Sequence, residues 1–84
     1  MKDDERYFWE RVKTEVGEYG KLPDGSWGKT PRDIINEDDF PINYKRAWYL
    51  LGKWTDKRWY EYGVSLDLGW VTPEGTKSDG KKEE

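Results

Sequence analysis

The stretch INYKRAWYLLGKWTDK (residues 42–57) runs directly into RWYEYGVSLDLGWVT (residues 58–72), and the apolar period changes at the junction. In the first stretch Tyr44, Ala47, Trp48, Leu51 and Trp54 recur at three- and four-residue steps, the spacing of one face of an α-helix. The opposite face carries Lys45, Arg46, Tyr49, Lys53 and Lys57. Gly52 lies near the boundary, where it costs about 1 kcal/mol relative to alanine, so it is expected to mark a close packing contact. After Arg58 the period falls to two. Tyr60, Tyr62, Val64, Leu66, Leu68 and Trp70 alternate with Glu61, Gly63, Ser65, Asp67 and Gly69, which indicates strand. One long strand would leave an unpaired edge, so a hairpin of residues 58–63 and 68–72 is expected.

Upstream, Phe8, Trp9, Val12, Val16 and Tyr19 fall within one sector of a helical wheel, predicting an amphipathic helix over residues 4–19. Asp3, Asp4 and Glu5 suit its start, where unpaired N–H groups favour anions, and Gly20 suits its left-handed end. Turn chemistry follows in Pro23-Asp24-Gly25 and Gly28, giving an ordered loop over residues 21–29. Thr30-Pro31-Arg32-Asp33 then combines a capping hydroxyl, a proline at the first helical position and an acid at the third. A short helix over residues 31–36 is predicted. The expected architecture is α+β: three helices and a hairpin in one domain over residues 1–75. A charged, disordered tail is expected over residues 76–84.

Composition narrows the chemistry. The 84 residues are 39% charged and only 33% apolar, but six Trp, six Tyr and two Phe supply enough ring area for a small core. The chain contains no His and no Cys. Histidine bases, thiolate nucleophiles and zinc or iron–sulfur sites built on those ligands are therefore excluded. The carboxylates Asp33, Glu37, Asp38 and Asp39 read as solvated turn and helix-end acids. There is no calcium loop, phosphate-binding glycine loop or nucleophile elbow. The expectation is a non-enzymatic binding domain with no metal, no cofactor and no evident small-molecule substrate. No apolar run approaches the roughly 18 residues of a membrane span, and no signal-peptide pattern opens the chain. A cytoplasmic protein without a membrane partner is expected.

Charge is unevenly placed. Residues 41–60 carry Lys45, Arg46, Lys53, Lys57 and Arg58 against Asp56 alone, a net of +4 in a chain whose total is −3. The order helix, short helix, long helix, hairpin resembles that of a winged helix-turn-helix domain. The resemblance covers roughly residues 32–75, and Trp70-Val71-Thr72-Pro73-Glu74-Gly75 is similar to the Leu-Thr-x-x-Gly ending of many wings. It implies duplex DNA as the partner, with Asn43, Arg46, Tyr49 and Lys53 facing the major groove and Lys45, Lys57 and Arg58 on phosphates. A footprint of about five phosphate contacts would give a slope of log affinity against log salt of about −4 to −5.

The same basic face also suits an acidic protein surface. The alternative reading is a protein-interaction adaptor or inhibitor of phage or mobile-element type, using that face or the aromatic hairpin. Tyr7, Tyr49 and Trp59 lie off the predicted apolar faces and are the expected exposed aromatic contacts.

Overall fold

A computed structural model describes residues 1–78. It is a small α+β fold whose elements, in chain order, are α1 (Asp3–Glu15), α2 (Pro31–Ile35), α3 (Tyr44–Asp56), β1 (Tyr60–Tyr62), β2 (Gly69–Val71) and α4 (Pro73–Lys77), with a 3-10 turn at Leu66–Leu68 between the strands. Phe8, Trp9 and Val12 of α1 meet Ala47, Leu50, Leu51 and Trp54 of α3, and Ile34, Tyr60 and Val71 close the core around them. The centre is aromatic. The Trp9 ring lies 4.8 Å from that of Trp54 and 5.3 Å from that of Trp59, the second pair stacked.

α1 stops at Glu15, short of the expected Tyr19. Gly17, with φ +87°, breaks the helix, and the chain then runs beside β2. Val71 N–H donates to the Gly17 carbonyl at 3.1 Å and Tyr19 N–H to the Val71 carbonyl at 2.9 Å. The loop that follows is ordered by backbone bonds. Lys29 N–H reaches the carbonyl of Glu15 at 2.7 Å, satisfying an open group at the end of α1. One guanidinium fastens this region. Arg11 donates to both oxygens of Glu15 at 2.6 and 2.8 Å and to both oxygens of Glu37 at 2.6 and 2.7 Å. Glu37, expected to be a solvated turn acid, thus ties the segment after α2 to α1.

α2 begins with the predicted capping box between Thr30 and Asp33. In α3 the buried positions are Ala47, Leu50, Leu51 and Trp54, an i, i+3, i+4, i+7 stripe. This corrects the expected inward face: Tyr44 is 60% exposed and pairs with the half-buried Trp48 outside the core.

The hairpin pairs Tyr60 with Val71, Glu61 with Trp70 and Tyr62 with Gly69, a shorter ladder than expected. Its connection is tied down at Asp67, a buried carboxylate that accepts from Arg32 of α2 at 2.8 and 3.1 Å and from the Ser65 hydroxyl at 2.6 Å. The alternating pattern continues through this segment, but the backbone coils into the 3-10 turn so that Arg32 can reach Asp67. Beyond β2, Thr72 caps α4 by accepting from Gly75 N–H at 3.0 Å. Thr76 and Lys77, placed by the sequence reading in the tail, complete that helix. The rest of the expected tail, from residue 79, lies outside the described residues.

The carboxylates set an acid limit on this fold. Hydrogen bonds from Arg11, reinforced by Lys29, lower the Glu15 carboxyl from its ordinary 4.5 to about 2. Arg11 also lowers Glu37, and Arg32 lowers Asp67. A group depressed in the folded state contributes its full stability above its unfolded pKa and loses it as pH falls through the folded value. The thermal midpoint is therefore expected to fall between about pH 4.5 and pH 2, and Glu15→Gln to flatten that fall. Melting curves across this range check it. A Glu15→Gln variant with the wild-type acid profile would refute the assignment to Glu15.

Candidate functional site

Among the described residues no other element covers the outer side of α3. Lys45 and Tyr49 are exposed there, Tyr49 at 60%, and Trp48, Tyr49, Gly52, Lys53, Asp56 and Lys57 line a shallow open groove along it.

The predicted site residues divide according to what already holds them. Asn43 is the N-cap of α3, its side-chain oxygen accepting from Arg46 N–H at 2.8 Å, so this oxygen is engaged in the fold and not displayed for base reading. Arg46 donates from Nε and Nη2 to the two oxygens of Asp4 at 3.0 and 3.1 Å. The guanidinium holds Asp4 below the usual carboxylate range, and the pair links α3 to the first turn of α1. Lys53 donates to Glu5 at 2.9 Å, and the same buried carboxylate accepts from the Trp54 indole N–H at 2.9 Å. Arg46 and Lys53 are therefore clamps between α1 and α3. Their charges are largely neutralised where the sequence reading took them to face a partner.

Lys45 and Arg58 make no ion pair among the described residues, and the Lys57 ammonium sits 5.2 Å over the Trp59 ring. Arg58 has φ +67°, the left-handed position that ends α3. Its N–H donates to the Thr55 carbonyl and that of Trp59 to the Trp54 carbonyl, both at 3.0 Å, the bonding pattern of a Schellman cap. Arg58 also lines a cleft with Tyr19, Asp56, Glu61 and Glu74, whose three acids offset its field.

That cap overturns the exposure expected for Trp59. The backbone reversal at Arg58 turns the ring inward onto Trp9, leaving it 8% exposed. Tyr7 keeps its predicted exposure at 40% and receives a hydrogen bond from Arg11 at 3.2 Å. The sequence reading assigned no contact to the most exposed indole, Trp27, which is 73% exposed with Lys21 stacked 4.9 Å over it. Its signal was present: an apolar residue between turn formers, with no apolar neighbour at helix or strand spacing.

Among the described residues no three Asp, Glu, His or Cys side chains converge as a metal site, and no helix is long and apolar enough to cross a membrane. Scans of the chain against known protein families, curated proteins and solved structures return no match.

Proposed function

We propose that this chain is a winged-helix-like domain that binds duplex DNA through the outer side of α3. The observation that carries the reading is the open face of a long helix, followed directly by a hairpin, with Lys45 and Tyr49 exposed on that face, Lys57 in the groove beside Tyr49 and Arg58 just past the helix end. Lysine and arginine on such a helix reach phosphates, while a tyrosine offers both a ring and a hydroxyl to sugar and base edges.

With Arg46 and Lys53 pinned, the cations left for phosphates are Lys45, Lys57 and Arg58, so about three contacts are expected. The slope of log affinity against log salt is then about −2.7, and raising salt from about 50 to about 200 mM weakens binding about 40-fold. Anisotropy of a labelled mixed-sequence duplex measures it. Lys45→Glu is expected to weaken binding further without changing the melting temperature, because Lys45 makes no ion pair among the described residues. Affinity independent of salt, or no binding at about 50 mM, would reject the proposal.

A second reading, docking on a protein partner, is favoured by Trp27 alone. The ring is large, exposed and presented from a backbone-bonded turn, which are the properties of an interface anchor. It becomes the leading reading if duplex binding fails.

A further inference from the structure

Four residues on the outer side of α3 have no explanation within a single chain. Gly52 stands in the helix interior, where alanine is more stable because glycine loses more backbone freedom on folding. No packing contact among the described residues accounts for it, since a methyl group added there meets nothing within 4 Å. Tyr49 stands beside it with its ring 60% exposed and the Arg46 guanidinium 5.6 Å over one face. Lys45 and Asp56 lie toward the two ends of the helix, exposed, opposite in charge and in no ion pair among the described residues. At about 100° per residue these four positions form one strip about 60° wide, directly opposite the buried Ala47, Leu50, Leu51 and Trp54. Local rules broken without a compensating contact inside the fold are expected where a residue serves something outside it.

We infer that this strip is complementary to itself, and that two copies of the chain pair through it with their α3 helices antiparallel about a two-fold axis. Symmetry fixes the register. An axis at the level between Leu50 and Leu51 places each Lys45 opposite Asp56 of the second copy and each Tyr49 opposite its Gly52, so one register uses all four residues, twice. The missing side chain at Gly52 leaves a shallow groove of about 520 Å³, with Trp48, Lys53 and Asp56 in its lining, in which the Tyr49 ring of the second copy seats. Charge suits a copy as occupant. Lys53 is already paired with Glu5, and the Lys57 ammonium lies over the Trp59 ring. Lys45 and Asp56 stand at opposite ends of the strip, the arrangement that an antiparallel copy neutralises at both ends. The contact is small. The 13 residues of α3 make about 20 Å of helix, which covers less than about 1,200 Å², so a dissociation constant of about 10–100 µM is expected. This inference does not rest on the duplex-binding reading; the two use the same face, so a second copy and a duplex exclude each other.

Sedimentation velocity of the purified chain from about 5 to about 500 µM, without nucleic acid, is expected to show a monomer–dimer equilibrium. Gly52→Leu fills the groove, while Lys45→Glu or Asp56→Lys sets like charges opposite one another. Each is expected to weaken dimerisation by about tenfold or more with the circular dichroism of the wild type kept, because all three positions are remote from the core. Lys45→Glu combined with Asp56→Lys in one chain exchanges the two charges, and is expected to restore the wild-type constant to within about threefold. A chain still monomeric at about 500 µM overturns the inference, as does a dimer that Gly52→Leu leaves unchanged. Single charge variants without effect, or a double variant that stays weak, overturn the antiparallel register. Duplex binding is read separately, by anisotropy at low micromolar chain where the monomer predominates, so failure of either reading leaves the other standing.

Discussion

Gly75→Ala is expected to lower the melting temperature by roughly 10–30 °C, the consequence of about 2–4 kcal/mol in a domain of this size. A Cβ at this position would lie 2.2 Å from the Trp59 carbonyl oxygen, 3.0 Å from its carbon and 2.9 Å from a Val71 methyl. The first two are backbone atoms and cannot rotate away. The Trp59 carbonyl is further fixed because it accepts the Thr72 N–H at 2.9 Å, while the Thr72 hydroxyl donates to the Arg58 carbonyl at 2.6 Å. Relief therefore requires the first turn of α4 to lift from the turn between α3 and β1. That movement breaks the Thr72 cap and opens the stacked pair of Trp9 and Trp59 to water. Circular dichroism melts of the purified chain check it. A Gly75→Ala variant within a few degrees of wild type would mean that α4 does not pack against Trp59. Gly52→Ala is the internal contrast, the same chemical change at a site where the new methyl meets nothing.

The helix starts were legible because their signals are local. Asp3-Asp4-Glu5, the Thr30 and Asp33 capping box and the change of period after Arg58 each act within a few residues, and the elements begin close to where those signals lie. α4 carried the same signal as α2, a threonine followed by proline at Thr72-Pro73, but its likeness to a wing ending drew attention to Gly75 as a motif position. In the structure Gly75 is where helix and turn backbones touch. The end of α1 was misplaced because Gly17 and Gly20 both suit a left-handed backbone, with φ +87° and +80°, and only pairing of the chain with Val71 selects the first.

The candidate site was harder to read for a different reason. Arg46 and Lys53 lie on a helix face that looks basic in isolation, but their partners Asp4 and Glu5 come from a helix 42 and 48 residues away in sequence. No local pattern announces those pairs. Trp59 was misread because its direction depends on a left-handed arginine, a conformation that sequence statistics assign to glycine. What survived is the open outer side of α3, since exposure of Lys45 and Tyr49 follows from helical spacing alone.

Glu5→Ala is expected to cost about 3 kcal/mol, and it separates the structural role of this carboxylate from its effect on the binding face. Glu5 is 1% exposed, and its two oxygens accept from two different donors on α3: the Lys53 ammonium and the Trp54 indole, each at 2.9 Å. Truncation leaves the indole N–H without a partner in the core. Lys53 can still turn toward water, its side chain being 35% exposed, so the uncompensated group that matters is Trp54. Glu5→Gln tests this division. The amide oxygen can still accept from the indole, so this variant is expected to lose only about half as much stability as Glu5→Ala. Its charge is gone, however, and Lys53 then presents an unneutralised cation at the α3 groove. The salt slope for duplex binding is expected to steepen by about 1, one further phosphate contact, while the fold persists. An unchanged slope in Glu5→Gln would remove Lys53 from the contact, and a melting temperature as low as that of Glu5→Ala would transfer the stabilising role from the indole bond to the ion pair.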